Sequence, residues 1–305
     1  MSGMTGYRFD DKALTPFLDF IGSHHQDMIL QPSRCPVELF HYTDLSGLQG
    51  ILENHDLWLT NSRYSNDSEE MTHGCRVVMK VLQNASTVAP DSRYRTRLTE
   101  LTEQPDGVYV CCFCEKDNLL SQWRSYAANG TGVSVQVDPN GFSNLTGSDC
   151  PSGLLRFWRV FYDAGKQEDI IQKAIDYFAP NSVHQTPGQS PGDCASKAAQ
   201  AIQFFVPTFK NSDFSEEKEW RLIFTPSATT TLNVRFRVSR NMLTPYYSLK
   251  ELAGSQGIAP PLPIKGLRIR PSVHKQLNVE SARLLLEQNG YINVAVAASD
   301  TPYRS

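Results

Sequence analysis

Strict alternation of hydrophobic and polar positions marks several short strands along the chain. It is clearest in residues 133–137 and again in residues 220–224, where a period of two is typical of a strand with one buried face. Further strands are predicted at residues 37–42, 57–60, 108–113, 154–162, 232–238 and 264–269, with a last one around 294–296. We expect residues 232–238 to form a hairpin with the strand that begins at Trp220.

Hydrophobic positions three and four residues apart predict helices between these strands. Residues 45–52 follow this spacing, and Thr43 or Asp44 can cap the helix that they form. Near the N-terminus a helix is predicted over residues 15–30, with Pro16 at the first position, where proline is tolerated. Other helices are predicted from about 66–68 to 82, and at 92–103, 119–127, 167–178 and 194–205, with one more before the last strand.

The order of these elements predicts a single α+β domain over residues 37–305, preceded by an N-terminal helical extension over residues 1–36. Residues 180–193 are rich in proline, glycine and polar side chains. Such a composition between two helices predicts a mobile insert.

Composition and charge narrow the class of protein. The chain has 305 residues, 29 basic and 32 acidic side chains, so it can bury a sizeable core and has no overall basic field for nucleic acid. Its first residues lack a secretory signal and no long apolar run occurs, so we expect a cytoplasmic protein without membrane contact. The seven cysteines form no CxxC pair, and neither a metal site nor a disulfide framework is expected.

The stretch DFSEEKEWRLIFTP at residues 213–226 carries the strongest chemical signal. We expect Glu217, Glu219 and Arg221 to share the polar face of a strand, which would hold a carboxylate rigidly at the edge of a cleft. The alternative is that these acids are solvated and paired with Lys218 or Arg221.

Other candidate site residues lie upstream. His41 is predicted at a strand end just before a helix, where polar groups can face a ligand, although a single histidine there can be structural. Asn66 and Asp67 lie in a turn-rich loop and can contact a ligand or cap the next helix. Trp123 and Tyr126 share one face of a short helix. They can form an aromatic wall on which a planar ring stacks, or they can pack in the core.

Five blocks in order carry a resemblance to a known family: FHYTDLSGLQGILENHDLWLT, SNDSEE, FCEKDNLLSQWRSYAANGTGVSV, EEKEWRLIF and a closing PYR. The chain resembles the bacterial family known as domain of unknown function 2971 from Glu38 to its end. That family name implies no activity. The glycine-rich phosphate motifs GxGxxG and GxxxxGK[ST] do not occur, which argues against Rossmann and P-loop nucleotide sites.

A more distant resemblance implies an activity. His41, Thr43 and the sequence Gly-Ile-Leu at 50–52 are similar to the first motif of ADP-ribosyltransferases, and Glu219 with Glu217 before it is similar to their late Glu-x-Glu. The resemblance implies an ADP-ribosyltransferase-like fold, with a split, mostly antiparallel sheet and surrounding helices. It also implies that NAD is the substrate.

The same resemblance implies roles for the candidates. Glu219 would stabilise the oxocarbenium-like transition state, Glu217 would orient or deprotonate the acceptor, and His41 would bind a ribose hydroxyl. The full set of NAD-binding candidates is His41, Tyr42, Thr43, Asn66, Asp67, Trp123, Tyr126 and Arg221.

The acceptor of ADP-ribose is left open as a protein, a nucleic acid or a small molecule. The resemblance implies a bacterial toxin or antiphage effector, with a defence-system protein as a further partner. Three alternatives stay open: an NAD hydrolase on the same scaffold, a non-catalytic module that senses a nucleotide or partner, and another hydrolytic or phosphate-transfer chemistry that uses His41.

Overall fold

The computed structural model describes residues 11–25, 36–64, 68–84, 92–102, 107–126, 132–145, 152–227, 230, 232–239, 241–253, 261–270 and 274–299. Over these residues the protein has an α+β fold, in which a mostly antiparallel sheet is surrounded by helices. The predicted fold class is thereby confirmed.

The strands of the described residues form one ten-stranded sheet. Their bounds are β1 Leu39–Thr43, β2 Trp58–Asn61, β3 Tyr109–Cys114, β4 Val133–Val137, β5 Gly153–Arg159, β6 Glu219–Pro226, β7 Arg235–Ser239, β8 Met242–Ser248, β9 Ile264–Ile269 and β10 Ala295–Ala298. The order is β10-β9-β4-β1-β3-β2-β8-β7, and β6 pairs with both β3 and β5. Only β9 and β10 pair in parallel among these strands.

Helices fill the connections between strands. Their bounds are α1 Asp11–His24, α2 Leu45–Asn54, α3 Ser68–Asn84, α4 Ser92–Thr102, α5 Leu120–Tyr126, α6 Ala164–Tyr177, α7 Pro191–Phe205, α8 Leu249–Ala253 and α9 Lys275–Gln288. Two caps explain where helices begin. The Asp44 carboxylate accepts the Gly47 amide to start α2, and Ser190 forms a capping box with Asp193 to start α7.

The sheet forks beside β3. Strand β6 pairs along one edge of β3 from Tyr109 to Cys114, so β1 and β2 share the other edge. Strand β1 meets it only where Phe40 is opposite Cys114, and β2 meets it at the other end, where Thr60 is opposite Val110. The backbone of β3 between these two contacts therefore faces an opening in the sheet.

Two hydrophobic cores lie on the two faces of the sheet. One combines buried residues of β1, β3, β4 and β6 with α2 and α9, and the other joins α1, α3, α4, α6 and α7. Trp220, Leu222 and Phe224 of β6 belong to the first core, as their alternation predicts. Glu219 and Arg221 project from the opposite face of that strand.

Three predicted elements differ from the structure. Helix α1 begins at Asp11, so Pro16 lies inside it, because burial of the α1 side chains against the helical core outweighs the proline boundary rule. The predicted stretch beyond His25 lies outside the described residues. The predicted hairpin between residues 232–238 and β6 is wrong, because β3 and β5 occupy both edges of β6 and β7 pairs with β8 instead. Helix α7 starts inside the predicted insert, at Pro191.

Burial of α1 predicts that the N-terminal helix stabilises the whole chain. Leu14 is 1% exposed in the helical core, whereas Leu277 in α9 is 61% exposed. We expect Leu14→Ala to lower the free energy of unfolding by about 2–5 kcal/mol, since it leaves a cavity. The matched Leu277→Ala should change it by less than about 0.5 kcal/mol. Equal midpoints of urea unfolding for the two variants would show that α1 does not contribute to the core.

Candidate functional site

A cavity of about 570 Å³ opens at the fork in the sheet. Its size falls within the range of about 300–1,000 Å³ that is usual for small-molecule sites. Residues of β1, β2, β3, the β7–β8 hairpin and the start of α2 line it, together with Glu219 at the start of β6. His41 and Glu219, which are far apart in the sequence, are therefore walls of the same cavity.

His41 closes a gap in the hydrogen bonding of the sheet. Its Nδ1 donates to the Cys112 carbonyl oxygen at 2.9 Å, across the opening between β1 and β3. Burial lowers the pKa of His41 below 6.5, the Cys112 bond opposes that shift, and the positive charge of Arg237 adds to it. At neutral pH the ring is therefore uncharged, with its hydrogen on Nδ1 and a lone pair on Nε2.

His41 and Glu219 come from opposite faces of the sheet. His41 alternates with Phe40 and Tyr42, and these two pack with Cys114 in a small core on the other face. Glu219 lies opposite Cys114 in the register of β3 and β6 and shares its face. Only the fork lets both side chains reach one cavity.

Glu219 is held by two cations. Its Oε2 accepts from Lys210 Nζ at 2.8 Å, and its Oε1 accepts from Arg221 Nε at 2.7 Å. The residue is 2% exposed. Burial alone would raise the pKa of Glu219, but Arg221 and then Lys210 outweigh it, so the pKa lies far below 4.5. Glu219 is thus a permanent, fixed carboxylate.

Glu217 does not lie on the strand. It ends a 3-10 helix, Ser212–Glu217, and Lys218 after it adopts a left-handed conformation with φ of 43° before β6 begins. Its carboxylate accepts from Lys210 Nζ at 2.6 Å and is not part of the cavity wall. The prediction of a shared strand face therefore fails for Glu217, because the chain turns between the two acids. The alternative is wrong in taking the acids as solvated, since both are buried, but its pairing with Arg221 is confirmed for Glu219.

Lys210 is the member of this cluster that sequence reasoning missed. Its amide donates to the Phe161 carbonyl at 3.1 Å, and its own carbonyl accepts from Gln167 Nε2 at 2.9 Å. These bonds fix the segment that carries the ammonium group, which is 3% exposed as a residue. A buried lysine needs partners, and the two glutamates seven and nine residues later provide them.

The predicted aromatic wall is wrong for Trp123. That side chain is 1% exposed, packs edge-on against Tyr42 at 4.9 Å, and donates from Nε1 to Asn118. It belongs to a core, because α5 turns its apolar face to β1 and not to the cavity. Tyr126 is the last residue of α5, and its side chain lies outside the part that the structure describes.

Tyr42 and Thr43, two of the residues predicted to bind NAD, both line the cavity. The Tyr42 hydroxyl donates to the Lys116 carbonyl at 2.7 Å, which fixes the ring. Gly47 follows on the first turn of α2, and any larger residue there would overlap the Thr43 hydroxyl. The first turn of α2 therefore lies directly against Thr43 at the cavity wall.

The remaining predicted residues are not at the cavity or are not described. Arg221 is 3% exposed and is absent from the cavity wall. Its NH1 donates to the Pro207 carbonyl at 2.7 Å, so it supports Glu219 from behind and does not face a ligand. Asn66 and Asp67 lie outside the described residues.

Several side chains of the cavity wall were not predicted as site residues, among them two aromatic rings and an arginine. Trp58, Tyr64 and Arg237 line it, and Trp58 stacks on Tyr246 with ring centroids 4.6 Å apart. Nothing in the local sequence marks them, because the pairing of β2 with β8 and of β8 with β7 brings them to the fork.

No three His, Cys, Asp or Glu side chains are grouped so as to hold a metal ion within the residues that the structure describes. None of the described helices is long and apolar enough to cross a membrane.

Loss of Lys210 should destabilise the protein strongly. Lys210→Met removes the ammonium group that both buried carboxylates share, and Arg221 remains bound to Glu219. We expect a loss of about 3–5 kcal/mol in the free energy of unfolding. The matched Lys218→Met removes an exposed pair with Glu115 at 3.8 Å and should cost less than about 1 kcal/mol. Denaturant titrations compare the two. A loss for Lys210→Met as small as that for Lys218→Met would contradict the buried cluster.

The neutral state of His41 predicts a pH dependence of stability. Below pH 6.5 the unfolded chain gains a proton on this ring that the folded protein resists, so the folded state loses stability as the pH falls. We expect the melting temperature of wild type to fall more steeply than that of His41→Gln between pH 6.5 and pH 4.5. The folded-state pKa of Glu219 lies far below this window, and the contribution of Glu219 is the same in both proteins. Parallel curves for the two proteins would contradict a lowered pKa.

Comparison with known families connects part of this chain to one of them. The model of the family described as "Protein of unknown function (DUF2971)" matches residues 122–222. This range includes Glu217, Glu219 and Arg221 but not His41. No curated protein and no solved structure matches the chain. The chain is therefore similar to DUF2971 over residues 122–222, and the resemblance of the other blocks stays a prediction.

Proposed function

We propose that this protein is an NAD-dependent ADP-ribosyltransferase, which cleaves the bond between nicotinamide and ribose and transfers ADP-ribose to an acceptor. The observation that carries this proposal is the meeting of His41 and Glu219 on the walls of one cavity. A cavity of about 570 Å³ at a break in a sheet also suits a ligand with planar rings and polar linkers.

Glu219 has the state that this reaction needs. Departure of nicotinamide leaves positive charge on the ribose C1′ and its ring oxygen, as in glycoside transfer. A carboxylate that stays ionised and fixed stabilises this charge without having to reorganise. Because its pKa is so low, Glu219 would act through its charge and as a hydrogen-bond acceptor, and not as a general acid.

His41 and Thr43 would orient the ribose. The neutral His41 ring keeps a lone pair on Nε2, which can accept a hydrogen bond from a ribose hydroxyl. Thr43, two residues along the same strand and on the same side, adds a hydroxyl to the cavity wall. The resemblance to ADP-ribosyltransferases implies this role for His41, whereas for Thr43 it implies a contact with the carboxamide of nicotinamide.

Trp58 replaces Trp123 as the ring for stacking against a planar group of the ligand, because it lines the cavity and Trp123 does not.

In the reaction the bonding electron pair of the glycosidic bond leaves with nicotinamide. The acceptor then forms a bond to C1′ and loses its proton to solvent. Glu217, which is bound to Lys210 away from the cavity, has no part in this scheme.

The bonds of Glu219 favour a second candidate function. Both of its carboxylate oxygens already accept from cations: Oε1 from Arg221, and Oε2 from both Lys210 and Arg221. If these bonds persist when a nucleotide is bound, the carboxylate has less charge to offer and the protein is a non-catalytic nucleotide-binding module. Binding of NAD without release of nicotinamide would favour this candidate. Release without transfer would instead indicate an NAD hydrolase.

A pair of glutamate variants tests the leading proposal. Glu219→Gln removes the cavity carboxylate and should lower the release of nicotinamide from NAD by about 10²–10³-fold. Glu217→Gln also removes an acid bonded to Lys210, but one outside the cavity, and should keep the rate within about tenfold. The measurement is nicotinamide release, with labelled NAD and cell lysate to separate free ADP-ribose from modified products.

Stability has to be measured alongside, because each substitution alters the buried cluster. Rates are therefore compared per folded protein, with the folded fraction taken from thermal unfolding of each variant. Equal rates for Glu219→Gln and wild type would remove Glu219 from the mechanism. The absence of nicotinamide release by wild type, with NAD bound, would replace the enzyme by the binding module.

A further inference from the structure

We infer that Arg237 forms a phosphate-binding subsite in the cavity, which holds the diphosphate of a dinucleotide ligand. In taking that ligand to be a dinucleotide, the inference rests on the proposed function. Arg237 lies on β7, outside the matched range and away from every motif noted in the sequence. It is a half-buried member of the cavity wall.

The hairpin of β7 and β8 directs Arg237 inward. Its neighbours Phe236 and Val238 have 62% and 76% of their surface exposed, whereas Arg237 is half-buried. Val238 also reaches the edge of the cavity. Arg237 is opposite Thr244 in the hairpin register, and Thr244 is 2% exposed and also lines the cavity. The guanidinium and the Thr244 side chain therefore belong to the same wall.

Contacts with β2 fix the direction of the guanidinium group. Its NH2 donates to Thr60 Oγ1 at 2.9 Å, and its central carbon lies 5.4 Å above the Trp58 ring. Trp58 is itself stacked on Tyr246. A guanidinium held in this way loses little freedom on binding, and its planar set of donors matches the oxygens of a phosphate.

Among the described residues of the cavity wall, Arg237 is the arginine or lysine side chain. Burial keeps His41 neutral, and the field of Arg237 contributes to that effect. The Asp44 carboxylate accepts the Gly47 amide at 2.6 Å, and the charge of Glu219 is held by two cations. A ligand with a cationic nicotinamide ribose and an anionic diphosphate would match this separation, with the ribose at Glu219 and the diphosphate at Arg237.

Calorimetric titration with ADP-ribose, inorganic pyrophosphate and nicotinamide riboside, which has no phosphate, tests the subsite. We expect Arg237→Met to weaken binding of ADP-ribose and pyrophosphate by about 10- to 100-fold, the loss usual for a charged hydrogen bond. Binding of nicotinamide riboside should stay within about threefold of wild type, which is under 1 kcal/mol. The dissociation constant of wild type for ADP-ribose should rise with added NaCl.

Arg235→Met is the matched control. Arg235 lies two residues earlier on β7, is exposed, and pairs with Glu251 outside the cavity wall. Its substitution should leave all three affinities unchanged. Arg237→Lys keeps the charge but loses the planar set of donors, so its affinity should fall between those of wild type and Arg237→Met.

The outcomes separate the subsite from the reaction. Weaker ADP-ribose binding by Arg237→Met, with normal melting temperature, supports the subsite whether or not nicotinamide is released. Unchanged ADP-ribose binding by that variant, or binding of neither ADP-ribose nor pyrophosphate by wild type, overturns it even if NAD is cleaved. If Arg237→Met melts at a lower temperature than wild type, two other measurements replace it. The subsite is overturned if Arg237→Lys binds ADP-ribose as tightly as wild type and if added NaCl does not change the affinity of wild type for ADP-ribose.

Discussion

The unequal sharing of the edges of β3 is the constraint on which the site depends. One edge is paired with β6 along its length, whereas β1 and β2 divide the other and leave backbone groups between them. Buried backbone groups need partners, and here the His41 ring supplies one to the Cys112 carbonyl. The residue that completes the hydrogen bonding of the sheet is therefore also a wall of the cavity. Under the proposed function, a substitution of His41 would affect stability and ligand binding through the same side chain.

The buried cluster has two positive and two negative side chains, Lys210, Arg221, Glu217 and Glu219, so its charges balance. Removal of any one member would leave a buried charge without its partner. Replacement of such a cluster by apolar side chains is often neutral or stabilising, whereas removal of one member leaves a buried charge. Stability is thus a weak reason for its presence. The cluster keeps the Glu219 carboxylate fixed and ionised at the start of β6, and this carboxylate lies at the cavity. This distinguishes Glu219 from Glu217, although both are bound to the same lysine.

Local pattern predicted the elements well and their pairing poorly. The strand over 133–137 and the Asp44 cap of α2 were correct, because alternation and capping act over a few residues. The hairpin of 232–238 with β6 was wrong, because the occupancy of both edges of β6 depends on strands far away in the sequence. The same limit applies to the site. His41 and Glu219 are recognisable by residue type and motif, whereas Lys210 and Arg237 acquire their positions only through tertiary pairing.

Charge is distributed unevenly along the cavity, and this distribution follows from the fork. Glu219 reaches the cavity from the face of the sheet that carries its supporting cations, whereas Arg237 reaches it from the hairpin beyond β2. Glu219 is bound to Lys210 and Arg221. The Arg237 guanidinium contacts Thr60 and Trp58 instead. A ligand that has positive and negative groups on one chain gains from both ends at once. Under the proposed function, the polarity of the wall would therefore select the orientation of such a ligand as well as its class.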